Sequence, residues 1–559
     1  MATRRSSLAR VGILPLRITM LICYTACMND QSDLPPELHD LPTEQLKHGT
    51  GKYSHIILVP QPTDDPNDPL NWPLWKKDMI LCIVGFSAAV VGAYGPMLGP
   101  GFIPIAKELN ISISTLAHST AWLILTIGLS VFITNPLAKI VGKRPVYVLA
   151  IIFLTIVNIW GAAAKSYSSF LGSRIVGGFA MAPYEILVQA TIGDLYFVHQ
   201  RATRIAVWNM FLLSGIAGAS FISGYIIEDL GYKWTFGMCA ILFGVWIFAV
   251  FFFVPETAYR RKRIVPRAKT PAQTSNSTSP NQPSTPEKTT FETTETSKEE
   301  ISSAEPIPAK KTYIQTLAIF SGIYTTQPLK VFIRPFIMFT YPAVIWAWLL
   351  YGTVITWIVV FSVVNGVIFP TAYQFSVSET GLTGLSPFIF GVIGEAISGP
   401  LNDWICVKLT ERNKGIYEPE FRLPLMIVVV ILGTVGFYGF GATVDAHTHW
   451  TGPVITYGLA NMSLCFLATC VFGYLLDSYP TLSEEAFVAI NSRNLLTFGL
   501  TYFVNDWLVK DGPLKVFNIL GSAFLGVSAL TIPLWVFGKR IRGWLSERQF
   551  LNDFMNDLE

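Results

Sequence analysis

Apolar runs of about 20 residues, the length at which a helix crosses the hydrocarbon core of a bilayer, recur along both halves of this 559-residue chain. Runs ending in Gly, Pro or charge fall at roughly 78–100, 115–136, 146–164, 169–192, 204–227 and 234–254. A second set falls at roughly 336–363, 384–404, 423–443, 452–476, 487–508 and 513–537. The pattern predicts an all-α membrane protein with twelve transmembrane helices, six on each side of a polar centre. Composition agrees, with 51% hydrophobic and 14% charged residues against about a quarter charged in soluble domains, so an ordinary soluble enzyme is excluded. A net charge of +3, carried by short loops, lacks the basic stripe interleaved with aromatics that nucleic acid requires.

Short cytoplasmic loops are enriched in Lys and Arg, and here one set of loops is basic: Lys139, Lys143 and Arg144; Arg201 and Arg204; the run Arg260 to Arg263; Lys408, Arg412 and Lys414; and Lys539, Arg540 and Arg542. The opposite loops hold only scattered lysines. Both termini and the centre are thereby expected in the cytosol. Domain boundaries follow: a cytosolic leader over 1–77, a six-helix bundle over 78–254, a cytosolic linker over 255–333, a second bundle over 334–537 and a tail over 538–559. The linker is rich in Ser, Thr, Pro and mixed charge and poor in aromatics, so it is read as disordered. Its Thr270, Ser279 and Thr285 each precede proline, a pattern open to phosphorylation and also common in polar linkers. Residues 1–27 read either as a signal-like segment or as an over-extended start. The sequon at Asn276 faces the cytosol, whereas Asn110, in the first outward loop, is a glycosylation candidate. Seven cysteines, an odd number lying mostly inside apolar runs, imply no disulfide framework. No Cys/His metal spacing is present, no cofactor is implied, and no P-loop pattern points to ATP as the energy source.

Ionised side chains inside a span cost about 2.5–3.5 kcal/mol on insertion scales and mark functional sites. Span four holds two, Arg174 and Glu185. Eleven residues make about three helical turns, so the pair is expected on one face about 16 Å apart, with Gln189 one turn beyond Glu185. Pro183 frees a carbonyl and bends the helix beside Glu185. Glu395, in span eight, is a second candidate acid. Arg174 alternatively snorkels outward, and either acid alternatively makes a structural hydrogen bond. Trp346, Trp348, Tyr351 and Trp357 in span seven offer stacking surfaces for a substrate or, equally, an interfacial belt. The pentapeptides NPLAK (Asn135 to Lys139) and GPLND (Gly399 to Asp403) end spans two and eight, an internal repeat relating the halves.

Two strings carry a resemblance, LVPQPTDDPNDPLNWPLWKKD (Leu58 to Asp78) ahead of span one and RNKGIYEPEFRLP (Arg412 to Pro424) after span eight. By composition the first is only a surface segment. Together they resemble the fungal twelve-span drug:proton antiporter branch of the major facilitator superfamily, over about residues 55–540. The resemblance implies two pseudo-symmetric six-helix bundles around a central cavity. The superfamily's loop motif Gly-x-Leu-Ala-Asp-x-x-Gly-Arg-Lys maps onto NPLAKIVGKR, matching at Gly142, Lys143 and Arg144 and departing at Asn135 and Lys139. Because Lys139 would repel Arg493 at the start of span eleven, the resemblance shifts the expected conformational lock to Lys143 and Arg144 with Asp194, and to Gly399 and Asp403 in the second half. Those basic residues alternatively only set topology. Arg174 and Gly178 fit the span-four pattern Arg-x-x-x-Gly, associated with proton transfer. In span five Gly215 and Gly224 match the antiporter motif, whereas Ala219 and Ser220 replace its Gly-Pro core. The implied function is proton-coupled export of an amphiphilic compound by a monomer, through the plasma or alternatively the vacuolar membrane, with small molecule, protons and lipid as its partners. An importer of organic cations or polyamines, and a non-transporting nutrient sensor, are the competing readings.

Overall fold

A computed structural model of the chain describes residues 47, 58, 60–259, 309–320, 322–324, 327–413, 417–479 and 482–546. The expectations about residues 1–27, Thr270, Asn276, Ser279, Thr285, Lys414 and the run Arg260 to Arg263 lie outside these.

The first half comprises α1 (Leu74–Tyr94), α2 (Ile113–Val141), α3 (Lys143–Ala163), α4 (Tyr167–Leu195), α5 (Val198–Leu230) and α6 (Tyr232–Phe253). In the second half stand α7 (Pro342–Ala372), α8 (Leu385–Arg412), α9 (Met426–Asp445), α10 (Thr451–Ser478), α11 (Asn494–Ala529) and α12 (Thr531–Ser546). Local chemistry sets their ends. Ser112 and Ser166 accept backbone N–H bonds as N-caps of α2 and α4, and Pro342 starts α7. Glycines with positive φ separate α2 from α3 (Gly142) and α5 from α6 (Gly231), and break α11 at Gly512. Among the described residues, eleven stretches are long and apolar enough to cross a membrane, and the last, Ser483–Leu545, contains that break. Its arms before and after Gly512 are spans eleven and twelve.

Packing repeats between the halves. In the first, α2 lies on α4, α1 on α5 and α3 on α6; in the second, α8 lies on α10, α7 on the first arm of α11 and α9 on the second arm. The seam between halves has the same symmetry, since α2 meets α11 and α5 meets α8. Lipid tails are as apolar as leucine, so close backbone approach rather than hydrophobic burial holds such helices together. Gly215 lies against the Ala89 carbonyl and Gly366 against the Gly99 carbonyl, each too near for a side chain. Outward faces carry exposed apolar residues such as Ile222, Val245 and Phe248.

Three sequence expectations change. Span seven begins at Pro342 and runs to Ala372; the apolar residues before it form a separate helix, Pro328–Ile337, followed by a 3-10 turn, because extended Tyr341 interrupts the run. The linker expected to be disordered over 255–333 is ordered at both described ends. Glu256 accepts backbone N–H bonds from Lys143 (3.0 Å) and Arg144 (3.1 Å), and the turn Tyr313–Thr316 carries a Thr312–Gln315 capping box. Finally, the proline-rich string before α1 is more than a surface segment. Asp68 is fully buried and accepts from Leu70 N (3.0 Å) and from the Thr63 amide (3.2 Å) and hydroxyl (3.0 Å), while Tyr259 reaches Asp65 at 2.9 Å. The string ties the entry of α1 to the exit of α6.

Candidate functional site

Arg174 is fully buried inside the first half. Its guanidinium donates to the carbonyls of Tyr94 (2.8 Å) and Gly95 (3.3 Å) and lies 4.6 Å from the Tyr94 ring centroid. The last carbonyls of a helix lack intrahelical partners and carry the negative end of its dipole, so Arg174 closes the end of α1. It neither snorkels outward nor shares partners with Glu185. Gly178, one turn on, sits against Thr126 and the Leu123 carbonyl with no room for a side chain.

Glu185 faces the other half. Its carboxylate accepts from Arg493 at 2.9 Å, with side-chain exposures of 15% and 4%, so the pair is shielded from solvent. Arg493 also donates to Asn491, and its guanidinium lies 4.8 Å from the Tyr351 ring centroid. Glu395 accepts from Asn209 of α5, again across the seam. Gln189 and Trp357 are buried, and Gln189 Oε1 and Trp357 Nε1 have no hydrogen-bond partner among the described residues. The remaining span-seven aromatics are engaged within the second half: Trp346 with Thr531 (3.1 Å), Trp348 with Ser492 (3.0 Å) and Tyr351 beneath Arg493.

A polar belt surrounds the end that carries the basic loops. Lys143 at the start of α3 meets Asp194 at the end of α4 at 2.6 Å. At the equivalent place in the second half Arg422 meets Asp477 at 2.5 Å, with Asp403 at 4.0 Å. Both pairs lie within one half, so neither joins the halves. The joining pair is one the motif departure obscured. Lys139 meets Glu485 at 2.8 Å and Glu484 at 3.2 Å, just ahead of α11, and Arg334 approaches Glu485 at 3.5 Å. Lys139 therefore does not repel Arg493, which is turned to Glu185; the polarity of the contact is reversed, with a base on α2 and acids ahead of α11. Arg144 binds the returning linker through the carbonyls of Thr316 and Leu317 (3.0 Å), and the last turn of α6 through the Phe251 carbonyl (2.8 Å). A Cβ added at Gly399 would meet no atom within 4 Å, so packing gives this position no reason to be glycine. In the same belt, burial and the Asp78 carboxylate that accepts its proton at 2.7 Å hold the Tyr196 phenol well above its ordinary range.

Gly142 (φ 100°, ψ 161°) occupies backbone space open essentially only to glycine, and a Cβ there would strike the Glu256 carboxylate and approach Tyr324. Gly142→Ala is expected to cost about 1–3 kcal/mol, read as a lower thermal unfolding midpoint of the purified protein; an unchanged midpoint would show that the loop accommodates a side chain.

At the opposite end, His118 stacks on Tyr502 (4.0 Å, 4°) and Trp122 approaches Phe498 (5.5 Å), both across the seam. Glu228 accepts from Ser378 N at 2.5 Å. The halves thus touch at both ends. Asn110 is exposed there, with φ 56°, just before the N-cap of α2.

Sequence reasoning missed Asn209, Glu256, Glu484 and Glu485. Glu484 and Glu485 carried a usable signal, an acidic pair immediately before an apolar run and therefore at the same membrane level as Lys139. Asn209 carried less, because a single amide in a span draws no attention until its partner is known.

The sequence profile of the Major Facilitator Superfamily matches residues 80–498. An uncharacterized MFS-type transporter of Schizosaccharomyces pombe is 25% identical, covering 89% of this chain and 90% of its own length. A cycloheximide resistance protein of Candida maltosa is 23% identical, covering 87% and 85%. Among solved structures, the partially occluded, inward-open xylose transporter XylE from E. coli aligns with a TM-score of 0.53 at 11% identity, over 82% of this chain and 99% of that one. With the profile spanning most of the twelve helices and the halves repeating each other's packing, this chain belongs to the major facilitator superfamily.

Proposed function

We propose that the chain is a proton-coupled secondary transporter exporting an amphiphilic small molecule, the two halves rocking about the seam so that a midplane site opens to one side at a time. The observation that carries this reading is the placement of two mid-span acids, Glu185 and Glu395, on the seam, each bonded to the other half: Glu185 to Arg493 and Glu395 to Asn209. Bonds that cross the seam break when the halves part, so a proton gained or lost at either acid biases the rocking. The reversed contact of Lys139 with Glu484 and Glu485 then acts as the lock on the basic end, which the positive-inside rule places in the cytosol. The Candida relative's name, a cycloheximide resistance protein, supports export. The loss of the Gly-Pro core at Ala219 and Ser220 favours import as the second reading.

Direction is decided in proteoliposomes containing the full chain. Under an imposed pH gradient, an exchanger accumulates an amphiphilic fluorescent dye in an acidic lumen, and a symporter in an alkaline one. Uptake by neither polarity, relative to protein-free vesicles, would sink the transporter reading.

A further inference from the structure

The returning connection between the halves carries apolar side chains that the described residues leave uncovered. Ile314, Ile323 and Leu329 are 79%, 72% and 72% exposed. In the helix Pro328–Ile337, Leu329, Ile333 and Phe336 recur at i, i+4 and i+7 and share one exposed face, whereas Val331 and Pro335 on the opposite face are buried. Contiguous apolar surface of this kind marks a contact with something other than water.

The neighbours of this face fix its depth. The Tyr324 amide donates to the Ile140 carbonyl in the last turn of α2 (2.8 Å), and Phe336 stacks on Phe132 of the same helix (4.5 Å, 12°). Ile140 and Phe132 are eight residues apart, about 12 Å along the helix axis, so the connection turns back from the basic end toward the bilayer. It runs there beside a helix whose Ile133 and Leu137 are exposed, as the outward faces of the bundle are. At its other end the Tyr313 hydroxyl donates to the Phe252 carbonyl (2.9 Å), where the Phe252 and Phe253 side chains are exposed in turn. The apolar face is thus continuous with the outward faces of α2 and α6, at the depth where an amphipathic helix lies between headgroups and acyl chains.

Charge completes the surface. Asn67 accepts from the Lys311 amide (2.8 Å) and donates to the Ala309 carbonyl (3.1 Å), holding the backbone on both sides of Lys310. The Lys310 and Lys311 side chains are exposed and make no ion pair among the described residues. Lys310 stands near enough to Lys76 for the two charges to repel, and Lys330 flanks the apolar stripe of the helix. Basic side chains gathered at a membrane surface attract anionic headgroups. The helix also spans the seam, since Phe336 packs on the first half while Arg334 approaches Glu485 at 3.5 Å, the acid that takes Lys139 at 2.8 Å.

We infer that Lys310, Lys311 and the helix Pro328–Ile337 form a docking surface for anionic phospholipid, the lysines meeting phosphates and Leu329, Ile333 and Phe336 entering the acyl chains. Bound lipid holds the helix against both halves and thereby favours closure at Lys139. The docking stands apart from the transporter reading, whereas its hold on the closure rests on that reading.

Hydrogen exchange of the full-length protein in nanodiscs tests it, with phosphatidylcholine alone against a mixture containing about one-third phosphatidylserine. The amides of Pro328–Ile337 are expected to exchange at least threefold more slowly with phosphatidylserine. Lys310→Gln with Lys311→Gln and Lys330→Gln should remove most of that difference, and Leu329→Gln with Ile333→Gln should speed exchange in both lipids. Unchanged exchange in α9 shows that the variants are folded; if they are not, the wild-type comparison decides alone. Equal exchange in the two lipids overturns the inference. So does faster exchange in phosphatidylcholine on Glu299→Gln with Glu300→Gln and Glu305→Gln, because the connection's own acids would then be the cover. Spin labels at positions 75 and 411 should show a larger share of the shorter distance with phosphatidylserine. Slower exchange with unaltered distances keeps the docking and refutes its hold on the closure, and absence of gradient-driven movement in proteoliposomes sinks the transporter reading while the docking stands.

Discussion

Glu185→Gln is expected to abolish gradient-driven movement, lowering the initial rate at least tenfold in proteoliposomes, while equilibrium binding of substrate changes by no more than about threefold. Glutamine keeps the shape and one hydrogen bond to Arg493 but removes the charge and the proton site. Breaking a buried ion pair by removing one partner costs about 3–5 kcal/mol, so a lower folded yield is part of the expected result. Charge exchange separates the two effects. Glu185→Arg combined with Arg493→Glu should recover the folded yield, read by size-exclusion chromatography, without recovering coupled movement. Full coupled activity in Glu185→Gln refutes a coupling role, and recovery of coupling in the exchanged pair reduces Glu185 to a structural partner.

Lys139→Glu is expected to part the halves at the basic end. The wild-type lysine faces two carboxylates, at 2.8 and 3.2 Å, with side-chain exposures of 26% for Lys139, 34% for Glu484 and 7% for Glu485. Partial solvent screening leaves an attraction on the order of 1–2 kcal/mol, and reversal of the charge adds a repulsion of similar size. A change of about 1.4 kcal/mol alters a population ratio tenfold, so the open form should gain at least that. Spin labels at the exposed positions 75 and 411 would report it as a longer distance component, and Glu484→Lys with Glu485→Lys on the Lys139→Glu background should restore the shorter one. An unaltered distance distribution in Lys139→Glu would show that the contact exerts no control over the opening.

Much of this architecture is written in hydrophobic periodicity. Length and apolarity place the helices, and the positions of Lys and Arg separate their two ends, because both are properties of a single segment in a bilayer. Partnership is a different quantity. Lys139 and Glu485 are far apart in the chain and meet only because α2 and α11 face each other across the seam; no local pattern announces that, and the family motif pointed away from it by placing a base where an acid is usual. Arg174 shows the converse. Its burial is legible from its cost, but its role is not, since backbone carbonyls at the end of α1 are invisible in a residue string. Span seven begins late because Pro342 and the turn before it outweigh the continuous apolar run. Tertiary contacts likewise order the ends of a linker whose composition alone gives no core.

The docking of Glu256 beneath α3 and of the Thr316 and Leu317 carbonyls on Arg144 has a mechanical consequence. Both described ends of the long central connection are moored to the first half, and Tyr324 is held there too, its amide donating to Ile140 at 2.8 Å. The slack available to the second half is therefore metered by the short stretch from Tyr324 to Pro342, whatever the length of chain between 260 and 308. Inserting a reporter domain into that interval should leave the rocking stroke unaltered, whereas shortening the stretch after Tyr324 by a few residues should throttle it.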